Sequence, residues 1–124
     1  MTRQIRIEFE TLAVCGELDD SETARAIWEA LPLEATVNRW GDEIYFHIPV
    51  PIARAGNARE LMSAGEMGYW PADPAFCIFF GPTPASRDER PRAASPVNPF
   101  GSVTADPAQL RTVRTGERVR VVSA

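Results

Sequence analysis

From Gln4 to Phe9 polar and apolar residues alternate, with Ile5, Ile7 and Phe9 on one side and Arg6, Glu8 and Glu10 on the other. This period of two predicts a half-buried strand, and Leu12 to Cys15 predicts a second, short one. Asp19-Asp20-Ser21 then offers N-cap residues. Ala24, Ile27, Trp28 and Leu31 follow at i, i+3, i+4 and i+7, the stripe of one amphipathic helix that Pro32 ends. Thr36 to Trp40 and Glu43 to Val50 read as strands joined at Gly41-Asp42, a two-residue hairpin signal. On the second of them Ile44, Phe46 and Ile48 share one face, Tyr45 and His47 share the other, and Pro49 and Pro51 stop the strand.

Residues 53–64 are expected to be a loop or a short helical turn, and Met67 to Trp70 a short strand closed by the turn Pro71-Ala72-Asp73-Pro74. Phe76 to Phe80, FCIFF, is the densest apolar run and the expected central strand. Phe76, Ile78 and Phe80 fall on one face and Cys77 and Phe79 on the other, so both faces are apolar. Such a strand is either covered on both sides or leaves an apolar groove for a ligand or peptide. Residues 81–99, with their prolines and the mixed charges of RDERPR, predict a long irregular loop with stiff walls. Phe100 to Val103 is expected as a short strand, Asp106-Pro107 as the start of a helical turn, and Glu117 to Val122 as a strand with Val119 and Val121 inward. The sum is about eight short strands, one helix and one helical turn, which points to an all-β closed barrel or a sandwich; in a closed barrel the helix would cap one end over Ile27 and Trp28.

Composition narrows the function. A chain of 124 residues, 44% hydrophobic and 24% charged, predicts a single domain over residues 1–124 that buries a real core. The net charge of −4 argues against nucleic acid, which needs a basic face. Every basic residue is Arg, and the thirteen are scattered rather than grouped into an anion site. The opening MTRQIRIEFE has no apolar core of a signal peptide, and no apolar run approaches the ~20 residues that span a bilayer. No membrane partner is expected, and the predicted compartment is the cytoplasm, with Cys15 and Cys77 as reduced thiols in the core. One His and two distant Cys give no zinc spacing, and no cofactor is expected.

Three stretches carry a resemblance. GEMGYWPADPAFCIFFGPTPAS at 65–86, SPVNPFGSV at 95–103 and WGDEIYFHIPV at 40–50 resemble a family of small bacterial and archaeal proteins with a cyclophilin-like fold. The resemblance implies a minimal cyclophilin-like β-barrel. Phe79-Phe80 is similar to the paired phenylalanines of the groove strand in true cyclophilins, and Phe100-Gly101-Ser102-Val103 to their FGxV strand. Their catalytic arginine follows a Phe-His pair, whereas here Phe46-His47 is followed by Ile48. No catalytic residue is therefore carried over.

Prolyl isomerisation faces a barrier of ~18–20 kcal/mol. A catalyst needs an apolar pocket for the ring and a fixed donor to the proline nitrogen. Phe76, Phe79, Phe80, Tyr69 and Trp70 offer the first; Arg39 and Arg54 are the nearest candidates for the second, and neither sits in a motif. His47 reads as an exposed strand residue beside Tyr45 or as a donor in a groove. Asp42 and Glu43 are adjacent and point to opposite faces, so they read as hairpin chemistry rather than a paired-carboxylate site. The serines lack a G-x-S-x-G setting. The expected function is a binding module. A small ligand or peptide would be held by Tyr45, His47, Tyr69, Trp70, Phe79, Phe80, Ser95 and Asn98, between the 71–75 turn and the 81–99 loop. The alternatives are a peptidyl-prolyl isomerase with a relocated donor, or a structural homodimer built on an apolar face or an open strand edge. Monomer and homodimer both stay open.

Overall fold

The computed structural model describes residues 2–124. The chain opens with β1 (Arg3–Glu8) and β2 (Ala13–Leu18), an antiparallel pair with Ile5 opposite Gly16 and Ile7 opposite Val14. Helix α1 (Glu22–Ala30) starts at Ser21, whose Oγ accepts a 3.1 Å hydrogen bond from the Ala24 N–H. Its stripe buries Ile27 completely, while Trp28 is half-buried under the Arg3 guanidinium, 5.7 Å from the ring centroid. There follow β3 (Leu33–Thr36), β4 (Asn38–Arg39), β5 (Glu43–His47), β6 (Arg59–Leu61), β7 (Glu66–Trp70), β8 (Ala75–Phe79), β9 (Arg92–Thr104), α2 (Pro107–Leu110) and β10 (Arg118–Ser123). Asp106 caps α2 through a reciprocal box with Gln109.

The strands form an open antiparallel sheet, not the expected closed barrel. Its order is β3-β10-β1-β2-β9-β7-β8-β5-β4, with β6 pairing β9 off this path. The segment expected as one strand from Thr36 to Trp40 divides at Val37. Leu33–Thr36 pairs with β10, and Asn38–Arg39 pairs with β5. The Val37 N–H donates to the Glu117 carbonyl at 2.8 Å, and its own carbonyl accepts from the Gly116 N–H at 2.9 Å. The two end strands are thus neighbours along the chain, joined covalently through Val37, and among the described residues no ladder closes the sheet.

Other differences have local causes. Residues 59–61 are strand β6 rather than loop or helical turn, and the irregular loop stops at Pro91, because 92–99 belong to β9. β9 accommodates its prolines at irregular rungs: Pro96 lies in the interval where the β6 register shifts, and Pro99 sits opposite Gly68, next to the shift in the β7 ladder. Cys15 is exposed rather than in the core, because Val14, Gly16 and Leu18 take the inward face of β2; Cys77 is buried, and both thiols are free. No helix among the described residues is long and apolar enough to cross a membrane.

All five residues of β8 are buried. On one face Phe76 stacks on Phe46 at 4.8 Å and 16° and meets Phe100 edge-on at 5.0 Å and 75°, inside the main core with Ile5, Ile7 and Ile78. On the other, Ala75, Cys77 and Phe79 form a second, smaller cluster with Met62, Ala93 and Val97. The first half of β9 and Met62, just after β6, supply that cover.

Candidate functional site

Above the second cluster lies a cavity of about 200 Å³. Its floor is Glu43, Ala93 and Val97, all buried; its walls are the half-buried rings of Trp40, Tyr45 and Trp70; exposed Ala94 forms the rim. The sheet makes this shape in three steps. Alternation on β5 sends Glu43 and Tyr45 away from the main core while Ile44 and Phe46 enter it. Gly68 on β7 leaves room for Val97: a Cβ on Gly68 would lie 2.7 Å from Val97 Cγ2, so a larger residue would push the floor upward. The hairpin at Gly41, with φ of 60°, returns the chain so that Trp40 and Glu43 exchange backbone hydrogen bonds of 3.0 and 3.2 Å. Trp40 is thereby fixed on the same side as the Glu43 carboxyl.

The walls are anchored. The Trp70 Nε1–H donates to Ser95 Oγ at 2.5 Å. Tyr45 meets Trp70 edge-on, with ring centroids 6.4 Å apart at 85°. Glu43 is only 6% exposed. Burial lifts its carboxyl from 4.5 to about 7, partly opposed by a hydrogen bond from the Cys77 thiol. The Cys77 thiol in turn is pushed well up by its own burial and by the carboxyl beside it. Among the described residues no ion pair reaches Glu43; neighbouring Asp42 points elsewhere, to Arg39 at 3.6 Å and Arg111 at 3.2 Å. The cavity thus presents three aromatic walls and one carboxyl that has no cationic partner.

The other residues singled out from the sequence distribute as follows. Phe79 is buried in the cluster beneath the cavity, and Ser95 braces Trp70. His47 continues the outward stripe of β5, its ring 6.0 Å from Tyr45, and pairs with Asp73 at 2.8 Å on the exposed surface outside the cavity. Tyr69, Phe80 and Asn98 lie on the core side. The Tyr69 hydroxyl donates to the Val50 carbonyl at 2.6 Å and accepts from the Ile52 N–H at 3.1 Å. Asn98 Oδ1 accepts from the Ala55 N–H at 2.8 Å, while Nδ2 donates to the Ala53 carbonyl at 3.0 Å and to Thr23 Oγ1 at 3.2 Å. These two side chains tie segment 50–55 to the sheet. Asn98→Ala leaves a backbone donor and acceptor without partners, and is expected to cost about 2 kcal/mol in urea denaturation; an unchanged midpoint would show that water replaces the amide. Trp40 and Glu43 were not among the residues expected from the sequence. Period-two spacing from Tyr45 is the signal that places Glu43 on the cavity face.

The sequence model of the family described as "Cyclophilin-like" matches residues 3–122. The chain belongs to the Cyclophilin-like family. The solution structure of the hypothetical protein AF2241 from Archaeoglobus fulgidus is similar over 99% of this chain and 95% of that one, with 40% identity and a TM-score of 0.84. The structure of McbB in complex with tryptophan matches 95% of this chain and 44% of that one, with a TM-score of 0.71; at 21% identity it speaks to fold alone. No curated protein matches the chain. In this cyclophilin-like chain Ile48, the residue after Phe46-His47, is buried in the main core. Arg39 is committed elsewhere: its guanidinium donates to the carbonyls of Gly41, Arg111 and Val113 and lies 5.1 Å over the Phe80 ring. Arg54 is exposed on a separate hollow beside the start of α1.

Proposed function

We propose that this chain is a binding module that takes one small organic molecule into the cavity between Trp40, Tyr45 and Trp70. The observation that carries this reading is a braced aromatic enclosure set over a buried carboxyl with no cationic partner. A fold that needed only to seal its second cluster would gain nothing from placing a carboxyl there, because burying it without a partner is costly. Size limits the ligand. An apolar cavity of ~150 Å³ holds a benzene ring, and drug-sized ligands fill ~300–1,000 Å³. A volume of about 200 Å³ therefore suits one ring or a compact branched group rather than an extended peptide. Isomerase chemistry finds less support, since it needs a fixed donor aimed at the prolyl nitrogen and no guanidinium lines this cavity.

Two compact probes test the proposal: phenol, a neutral ring, and trimethylammonium chloride. At least one of them is expected to change the tryptophan emission saturably, with one site per chain, and to raise the melting temperature, as ligands of the native state do. Trp70→Ala should weaken that binding tenfold or more, because it removes a wall and the brace to Ser95. Absence of saturable binding by either probe would overturn the proposal.

A further inference from the structure

We infer that the ligand of this cavity is a small organic ammonium ion, in contact with Trp40, Tyr45 and Trp70 and donating its N–H to the Glu43 carboxylate; the inference rests on the small-ligand reading above.

Three features converge on a cation. Aromatic faces attract positive charge, most strongly where water is excluded, and they disfavour anions. Trp40, Tyr45 and Trp70 supply three such rings around one volume. Glu43 is the one ionisable carboxyl in the lining, so an anionic ligand would meet repulsion from its ionised form and a neutral one would offer that form no counter-charge. The surroundings supply no competing charge. β8 faces Glu43 with the Cys77 thiol, held in its neutral form, and with Phe79; β9 contributes Ala93 and Val97, β7 contributes Trp70, and β5 itself adds Tyr45. The guanidinium of Arg39, next to Trp40, is satisfied by three carbonyls and Asp42.

A bare metal ion does not fit this chemistry. Among the described residues no group of three or more His, Cys, Asp or Glu is placed to hold one, and a hard cation would need several oxygen ligands. A cation with an apolar surface suits the rings, and one N–H suits the single carboxyl.

The proton balance is simple. Near neutral pH the empty cavity holds Glu43 partly protonated, because its carboxyl titrates at about 7. As the ammonium enters, the Glu43 O–H releases its proton to solvent and the carboxylate accepts the ligand N–H. The ligand keeps its own proton, and the charge of the filled site is zero. Binding therefore strengthens with pH until Glu43 is ionised.

Calorimetric titration reads this directly, with trimethylammonium chloride, with tert-butanol as a neutral molecule of similar shape, and with phenol. With a carboxyl at about 7, the ionised fraction rises ~tenfold from pH 6 to pH 8, and trimethylammonium is expected to bind ~tenfold tighter at pH 8. At pH 8 tert-butanol should bind at least tenfold more weakly. Glu43→Gln preserves the shape of the floor and removes the charge; it should weaken trimethylammonium tenfold or more and abolish its pH dependence, while phenol binding shows that the variant's cavity is intact. Equal affinity for tert-butanol and trimethylammonium, or full ammonium affinity in Glu43→Gln, would overturn the cation inference; phenol binding in the same samples would leave the small-ligand reading standing. Silence of all three probes on the unaltered protein would overturn both.

Discussion

Phe76→Ala is expected to lower stability by about 3–5 kcal/mol, enough to bring the protein close to unfolding, since small domains are stable by only ~5–15 kcal/mol. The size of the effect follows from where the ring sits. Phe76 is fully buried at the centre of three strands, stacked on Phe46 of β5 and edge-on to Phe100 of β9. Its removal opens a ring-sized void that these neighbours cannot close. β8 is covered on both faces, so the backbone has no open side toward which to relax. The void also takes away the partner of two aromatic contacts, each worth ~0.5–1.5 kcal/mol beyond its buried area. Urea denaturation followed by far-UV circular dichroism measures the loss. A midpoint within experimental scatter of the unaltered protein would mean that the stack is not what holds β5, β8 and β9 together.

The burial of Phe76, though not its partners in the stack, was legible in the sequence because it follows from alternation. FCIFF between turn residues announces a strand with two apolar faces, either covered or lining a groove, and the structure covers both. The same logic gives β1, the outward stripe of β5 and the apolar stripe of α1. What alternation does not encode is which edges pair. The segment around Val37 reads as one strand, yet its two halves serve different neighbours. Closure depends on backbone groups whose destinations leave no trace in side-chain pattern, and here those of Val37 go to Gly116 and Glu117. β9 was hidden for another reason. Pro96 and Pro99 normally mark a strand's end, and only the register shifts of its partners let the strand run on through them.

The cavity was partly legible. Tyr45 was recognisable as an aromatic residue facing away from Ile44, Phe46 and Ile48, and Trp70 as an aromatic residue at the end of its strand. Strand geometry also limits how many neighbours can join them: Phe79 and Phe80 are adjacent, as are Tyr69 and Trp70, so one member of each pair must face the other way. Phe80 and Tyr69 take the core side. Glu43 was obscured by Asp42, which makes the pair look like turn chemistry. Asp42 does serve the turn region, through Arg39 and Arg111, while Glu43 one residue later belongs to the strand and to the cavity.

Glu43 also gives the protein's stability a pH dependence opposite to that of a salt-bridged carboxylate. Its folded-state value, about 7, lies above the ordinary 4.5. Below 4.5 both folded and unfolded chains hold the proton, and the favourable burial of the neutral acid is fully present. Between 4.5 and about 7 the unfolded chain has released a proton that the folded chain retains, so stability falls as pH rises through that window and levels off above it. The whole fall amounts to about 3 kcal/mol, at ~1.4 kcal/mol for each unit of difference. Glu66, which burial pushes up but which its bonds to Arg59 and Ser63 together hold below its usual range, acts in the reverse sense at lower pH. That contribution is common to the unaltered protein and to Glu43→Gln, and it cancels in their difference. Urea denaturation of both proteins at pH 4.5 and pH 8 is therefore expected to show the variant gaining about 3 kcal/mol relative to the unaltered chain as pH rises. Parallel profiles would mean that water or a shifted side chain already solvates the carboxylate, and the cavity floor would then hold no latent negative charge for a cation to meet.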